Sequence, residues 1–196
     1  GRDGTIDERF FCNCDTVIME AARRIDEWAY ISERVPTTAE VLVATVDAID
    51  PETYGADGPA VFELSDGRRN IARIVEMTGL SNFQVCKVTS QMLDAEVVAP
   101  VAAEDLLPLA AECMAESRLQ DAISLYERAI GLGVGLPEVH SLAATAYQAA
   151  EEYEHAVYHL ECEAEHRANT GDAPRAAQAL LQVKQLLPTD LQARER

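Results

Sequence analysis

Apolar positions in this chain fall at helical spacing over most of its length, and in the second half the pattern repeats 34 residues further on. Ala110 is matched by Ala144, Cys113 by Tyr147, Leu119 by Tyr153, Ala122 by Ala156, Ile123 by Val157 and Tyr126 by Leu160. Small residues recur where two helices must cross closely, and large apolar ones where the gap between them must be filled. The spacing predicts four antiparallel helices over 106–116, 119–132, 138–149 and 153–168. A break at 169–172 precedes a further helix over 174–187, and Pro188-Thr189-Asp190 opens another. A pair of helices of ~34 residues does not bury its apolar face alone, so such pairs stack on one another. The last opened helix has no capping repeat, so the chain is expected to be a fragment of a longer protein.

The first half carries a different pattern. Phe10, Phe11, Cys12 and Cys14 form a short run, read as irregular or as a remnant strand. Asp15 is an N-cap residue type, and Val17, Ile18, Ala21, Ala22, Ile25, Trp28 and Ile31 follow at helical spacing up to Pro36. Between Thr38 and Ile49, β-branched residues and alanines mix in a way that fits helix or strand. Asp50-Pro51 and Gly55-Ala56-Asp57-Gly58-Pro59 mark loop. Val61, Phe62 and Leu64 form a short apolar segment ended by the Ser65-Asp66-Gly67 turn. Ile71, Ile74 and Val75 mark a helix closed by Gly79, where a left-handed residue is expected. Ser81 and Gln84 have capping-box spacing and open a helix with Val85, Val88, Met92 and Leu93 on one face. The stretch 96–101 reads as a short strand. Helix, turn, helix, strand in this order predicts a winged-helix-like unit.

Charge narrows the partners. Sixteen basic and 34 acidic residues give −18, with 9 and 18 up to Pro100 and 7 and 16 after it. Affinity for duplex DNA comes mainly from neutralising phosphates, so a chain acidic in both halves is expected to bind neither nucleic acid nor an anionic membrane surface. No apolar run reaches the ~20 residues of a membrane helix, so no membrane insertion is expected. Five cysteines without a framework spacing, and a start lacking the basic-then-apolar order of a secretory signal, point to a cytoplasmic protein.

Two resemblances follow from these residues. The repeat, over about 103–136 and 137–165, is similar to a tetratricopeptide repeat array. The segments IMEAARRIDEW (18–28) and FELSDGRRNIARIVEMTGLSNFQVCKVTSQMLDAEVV (62–98) resemble the C-terminal part of a PATAN-type domain. Asp26-Glu27-Trp28 resembles that family's acidic-acidic-Trp helix end. Asp66-Gly67-Arg68-Arg69 resembles its aspartate-glycine-basic entry to a helix. The likeness covers roughly 15–101, and the family's usual N-terminal elements are not recognisable before it. The family is a bacterial signalling module found beside receiver domains, kinases and repeat arrays. It implies adaptor or output work, with surface-motility control among its contexts, and no catalytic residues.

Candidate chemistry is sparse. His155, His159, Cys162 and His166 lie at i, i+4, i+7 and i+11, near one helical face. Histidines four apart can share zinc, but the first and last are about 16 Å apart at ~1.5 Å per residue. The repeat assigns Tyr153, Ala156, Val157, Leu160 and Ala164 to the core, so this stripe is expected to face away from it. Glu161, Glu163 and Glu165 read as a solvated face, Tyr126, Tyr147 and Tyr153 as core, and Cys86 and Cys113 as small core residues. Cys12-Asn13-Cys14 has no second pair to complete a metal site. GLGVG (131–135) lacks the lysine of a phosphate loop. No nucleophile is paired with a base. No enzyme, metal or cofactor is expected.

The expected architecture is mainly α. A small winged-helix-like unit over 1–101 joins an antiparallel helical-hairpin array over 102–196, with hairpins at about 103–136 and 137–168 and a partial one at 172–196. The expected function is a non-catalytic protein–protein interaction adaptor. Tetratricopeptide repeats line their groove with the first helix of each pair. Here that gives Glu104, Leu107, Ala111 and Met114, then Glu138, Ser141, Thr145 and Gln148. These positions suit a peptide with basic and apolar residues. The competing classes are a metal-binding enzyme fragment and a DNA-binding regulator. The latter would use a helix-turn-helix at 70–94, exposing Asn82, Gln84, Lys87, Ser90, Gln91 and Asp94, with Arg68, Arg69 and Arg73 upstream.

Overall fold

Helical spacing dominates the sequence, and helices dominate the computed structural model, which describes residues 14–186. Among these residues are nine helices and one small antiparallel sheet. The first part runs α1 (Cys14–Arg34), β1 (Val41–Ala44), α2 (Gly58–Leu64), β2 (Asp66–Asn70), α3 (Ile71–Thr78), α4 (Asn82–Asp94) and β3 (Val98–Pro100). The second runs α5 (Ala103–Ala115), α6 (Leu119–Gly131), α7 (Glu138–Ala149), α8 (Tyr153–Asn169) and α9 (Ala173–Leu186). The phenylalanine and cysteine run before Cys14 and the helix expected from Pro188 lie outside the described residues.

The stretch that fits helix or strand equally well is strand β1, at the centre of the sheet order β2-β1-β3. Its Val43 faces Asp66 of β2 on one side and Ala99 of β3 on the other. Neighbouring strand residues point to opposite faces. Val41 enters the core of α5–α7, while Leu42 enters the core of α1–α4, and both are fully buried. With Val41 and Leu42 covered on opposite faces, β1 shows no apolar–polar alternation, which is why its sequence left helix and strand open.

Local signals hold around it. Gly79 closes α3 at φ 68°, in the left-handed region that favours glycine. Ser81 and Gln84 cap α4 reciprocally: the Gln84 N–H donates to Ser81 Oγ at 3.3 Å, and the Ser81 N–H to Gln84 Oε1 at 3.1 Å. The Val61–Leu64 segment is part of helix α2, entered through Pro59. Helix α1 begins at Cys14, so Asp15 lies in its first turn and is not its N-cap. Only the far end of α1 packs down: Ile31 is buried, whereas Val17, Ile18, Ile25 and Trp28 are exposed.

The two halves are fused by a polar joint over the shared strand. Glu40, beside β1, receives Arg128 of α6 at 2.6 and 2.7 Å on its two carboxylate oxygens. Arg68 of β2 reaches Glu112 at 3.5 Å and Glu116 at 3.6 Å. Arg69 pairs with Asp66 at 2.7 Å and approaches Asp121 at 4.0 Å. Gly67, between these groups, is buried at φ 80°, and a Cβ there would sit 3.4 Å from the Val43 side chain. The Asp66-Gly67-Arg68-Arg69 run is therefore occupied in joining the halves.

Candidate functional site

The 34-residue offset extends to individual backbone hydrogen bonds. The Arg118 N–H donates to the Cys113 carbonyl at 2.8 Å, and the Glu152 N–H to the Tyr147 carbonyl at 2.8 Å. Ser117 and Glu151, one residue before, both take a positive φ, 61° and 62°. Each is the left-handed turn that ends one helix and reverses the chain into the next. Ala110, Ala144, Ala122 and Ala156, the small crossing residues, are all fully buried. Tyr153 departs from its expected core place and is half exposed, and Leu119 at the equivalent site is only half-buried. The first turn of each second helix therefore lies at the edge of the stack.

Inside the hairpins the same offset exposes a substitution. Leu106 and Leu125, both fully buried, are replaced 34 residues on by His140 and His159, which are buried as well. The two imidazoles meet Nδ1 to Nδ1 at 3.0 Å. The second ring nitrogen of His159 lies 2.9 Å from Glu127 Oε1 on α6, and the Tyr147 hydroxyl donates to the same oxygen at 2.9 Å. Burial pushes the Glu127 carboxyl up, but the His159 bond and charge outweigh it, so its pKa lies below the ordinary carboxylate value. Burial, with the charges of His159 and His166, holds His140 below the ordinary histidine value. Burial and the adjoining carboxylate push the Tyr147 hydroxyl up.

This corrects two expectations. The stripe His155, His159, Cys162, His166 does not face away from the core as a unit. His155 and His166 are exposed and Cys162 is half-buried, but His159 is only 2% exposed. Helix α8 packs on both α7 and α9, so its covered arc is wider than the single stripe that Ala156, Leu160 and Ala164 define. The described residues hold no group of three or more His, Cys, Asp or Glu placed to bind a metal ion. Likewise Glu163 is not on a solvated face with Glu161 and Glu165. Residues two apart on a helix point in nearly opposite directions, and Glu163 is buried where the first hairpin has Ala129. Arg167 donates to it at 2.8 Å.

The eight expected groove residues remain accessible. Glu104, Ala111, Glu138 and Thr145 are exposed, and Leu107, Met114, Ser141 and Gln148 half-buried. Leu107 and Met114 lean on the first hairpin's core, and Glu138 lies 3.5 Å from Arg167. Ser141 is gathered into a polar cleft of about 210 Å³ with Glu163 and Arg167 of α8 and Arg175, Gln178 and Gln182 of α9. The α9 residues were not read from the sequence. Thirty-four residues on from the buried Ala146 and Tyr147 stand Leu180 and Leu181, both more than half exposed, so the register does not carry into α9. The connection there is the short turn 170–172 in place of the loop 132–137.

No family model matches the chain, and no curated protein or solved structure matches it either.

The expected DNA-reading face of α4 is engaged in part within the molecule, with Asn82 and Gln91 left exposed. Lys87 donates to Glu27 of α1 at 2.8 Å, Asp94 takes the Tyr30 hydroxyl and Arg34, and Ser90 is buried. Trp28 stacks on Phe83 with ring centroids 6.2 Å apart. Arg73 pairs with Glu76 at 2.8 Å. Each basic side chain proposed to hold phosphate already faces a carboxylate.

Proposed function

We propose that this chain is a non-catalytic docking protein, with a tetratricopeptide-like array in its second half and a winged-helix-like unit fused to it. The reading rests on the cleft between α7 and α9. Its Ser141, Gln178 and Gln182 side chains make no hydrogen bond among the described residues. Unengaged hydroxyl and amide groups lining the cleft are complementary to a peptide main chain, which offers a donor and an acceptor at each residue. Glu104, Glu138 and the flexible thioether of Met114, further along the same face, favour a segment with basic and apolar side chains. The likeness of residues 15–101 to PATAN-type domains makes bacterial signal transduction the setting, with surface-motility control among its contexts.

The DNA-binding reading draws less support. Helix α1 lies across α4, and phosphate contacts normally supply much of the affinity for a duplex. Arg68 and Arg69 are committed to the joint, and Lys87 to Glu27.

A photo-crosslinking residue placed at Gln182 tests the proposal, with a second placed at Gln91 on α4 as reference. A defined protein partner attached through position 182, and mapped to one basic and apolar segment of that partner, is the expected result. Attachment through position 91 alone would move the docking face to the first half.

A further inference from the structure

The buried histidine pair is the feature that docking leaves unexplained. The ionised Glu127 carboxylate accepts hydrogen bonds and donates none, so His159 Nε2 carries the hydrogen directed at it. A neutral His159 then presents a lone pair at Nδ1, and the hydrogen between the rings belongs to His140. One added proton is accommodated: His159 becomes imidazolium, donating to Glu127 and to His140, while His140 carries its hydrogen on Nε2. A second proton places two N–H groups head to head across 3.0 Å, between two positive rings.

We propose that the His140–His159 contact is an acid-operated latch between α7 and α8, closed with no or one added proton and opened by the second. The surroundings favour this. From α6 the pair faces Glu127, and from α7 Tyr147. From α8 it faces His155 through Tyr147, His166 stacked on His140 at 5.6 Å, Tyr158 edge-on to His159, and Glu163. Arg167 neutralises Glu163, and among the described residues α9 adds the cationic Arg175 beside them. Among the described residues Glu127 is thus the carboxylate hydrogen-bonded to the pair and compensates one imidazolium, whereas Glu163 acts on His140 through space only and is shared with Arg167.

The sign follows. A histidine held below its ordinary value of 6.5 in the folded chain binds its proton more readily when unfolded. The stability it contributes is complete above that pH and is lost as the pH falls below it. The latch adjoins the cleft, since Ser141, next to His140 on α7, and Glu163, which acts on His140, both line it. That acid would also disturb the docking wall rests on the groove reading; the latch itself does not.

The full chain and its His140→Leu/His159→Leu variant, which carries the first hairpin's residues, are compared by thermal melting at pH 7.5 and pH 5.5. The parent should lose on the order of 3 °C more than the variant on acidification. His155→Leu, at an exposed histidine, should behave as the parent. Equal losses in parent and double variant would overturn the latch. Histidine NMR titration of the parent decides the matter even where the double variant does not fold. His140 should titrate below the ordinary histidine value, together with loss of amide-exchange protection in α7 and α8. A His140 that titrates at the ordinary histidine value without that loss would overturn it too. Crosslinking from position 182 at pH 7.5 tests the groove separately, so the two ideas fail independently.

Discussion

The two hairpins share one backbone and have different interiors. Their turns repeat hydrogen bond for hydrogen bond, down to the positive φ at Ser117 and Glu151. Yet Leu106, Leu125 and Ala129 of the first become His140, His159 and Glu163 of the second, all buried. The geometry is set by the alanines at the crossing and by the turn, which leave little latitude. The remaining interior positions accept polar groups where each finds a hydrogen-bond partner: His159 has Glu127, His140 has His159, and Glu163 accepts from Arg167. The first hairpin gains from apolar burial, whereas the second exchanges part of that gain for a network sensitive to its partners.

The sharpest break in this comparison is truncation on each side. Leu125→Ala leaves a cavity at a fully buried site and is expected to cost about 2–5 kcal/mol in denaturant unfolding. His159→Leu should cost about 1–3 kcal/mol at neutral pH, because His140 and Glu127 each lose a partner. Adding His140→Leu should return most of that loss, since replacing both members of a buried polar pair removes the unpaired group. Additive single effects in this double-mutant cycle would mean that the two rings are not coupled.

How far the sequence revealed this arrangement depended on whether each face had a single environment. The hairpins were legible because alanines and large apolar residues recur at one offset. The capping box at Ser81 and the turn at Gly79 were legible because their chemistry is local. Strand β1 was not, since Val41 and Leu42 serve separate cores. His159 was assigned outward by a one-stripe rule that fails for a helix covered on more than one side. Its alignment with Leu125 was the available signal, since that position is buried in the sister hairpin. Gln178 and Gln182 lay past the point where the register ends. The engagement of Arg68 and Arg69 is non-local, and nothing in their own segment indicates Glu112 or Asp121.

The shared turn offers a smaller but cleaner test. Ser117 and Glu151 hold left-handed conformations that cost a side-chain-bearing residue about 1 kcal/mol or more. Ser117→Gly and Glu151→Gly should each stabilise the chain, by about 0.5–1 kcal/mol once the added freedom of the unfolded glycine is counted. Because the two turns superpose in their hydrogen bonding, the two gains should agree within ~0.5 kcal/mol and add when combined, as distant sites do. A gain at one turn with a loss at the other, read from denaturant midpoints, would show that the hairpins are equivalent in outline only.

The smallest expected effect on stability falls on the face where the hairpins are proposed to act together. Met114 and Gln148 stand at the same place, one on α5 and one on α7, and both are half-buried on the proposed docking side. Met114→Glu and Gln148→Arg put charge at the surface without removing a fully buried group or a turn residue, so each should change folding stability by no more than ~0.5 kcal/mol. Binding should respond differently. A carboxylate at position 114 must lose water under any apolar partner side chain, and a guanidinium at position 148 opposes a basic one. With a partner identified by crosslinking from position 182, both variants should weaken its equilibrium binding while circular dichroism and melting stay at parental values. If only one variant weakens binding, the partner engages a single hairpin and the repeat supplies scaffold alone. Should neither do so, the polar cleft is a solvated seam between α7 and α9, and the exposed apolar face of α1, bearing Ile18, Ile25 and Trp28, becomes the surface to test.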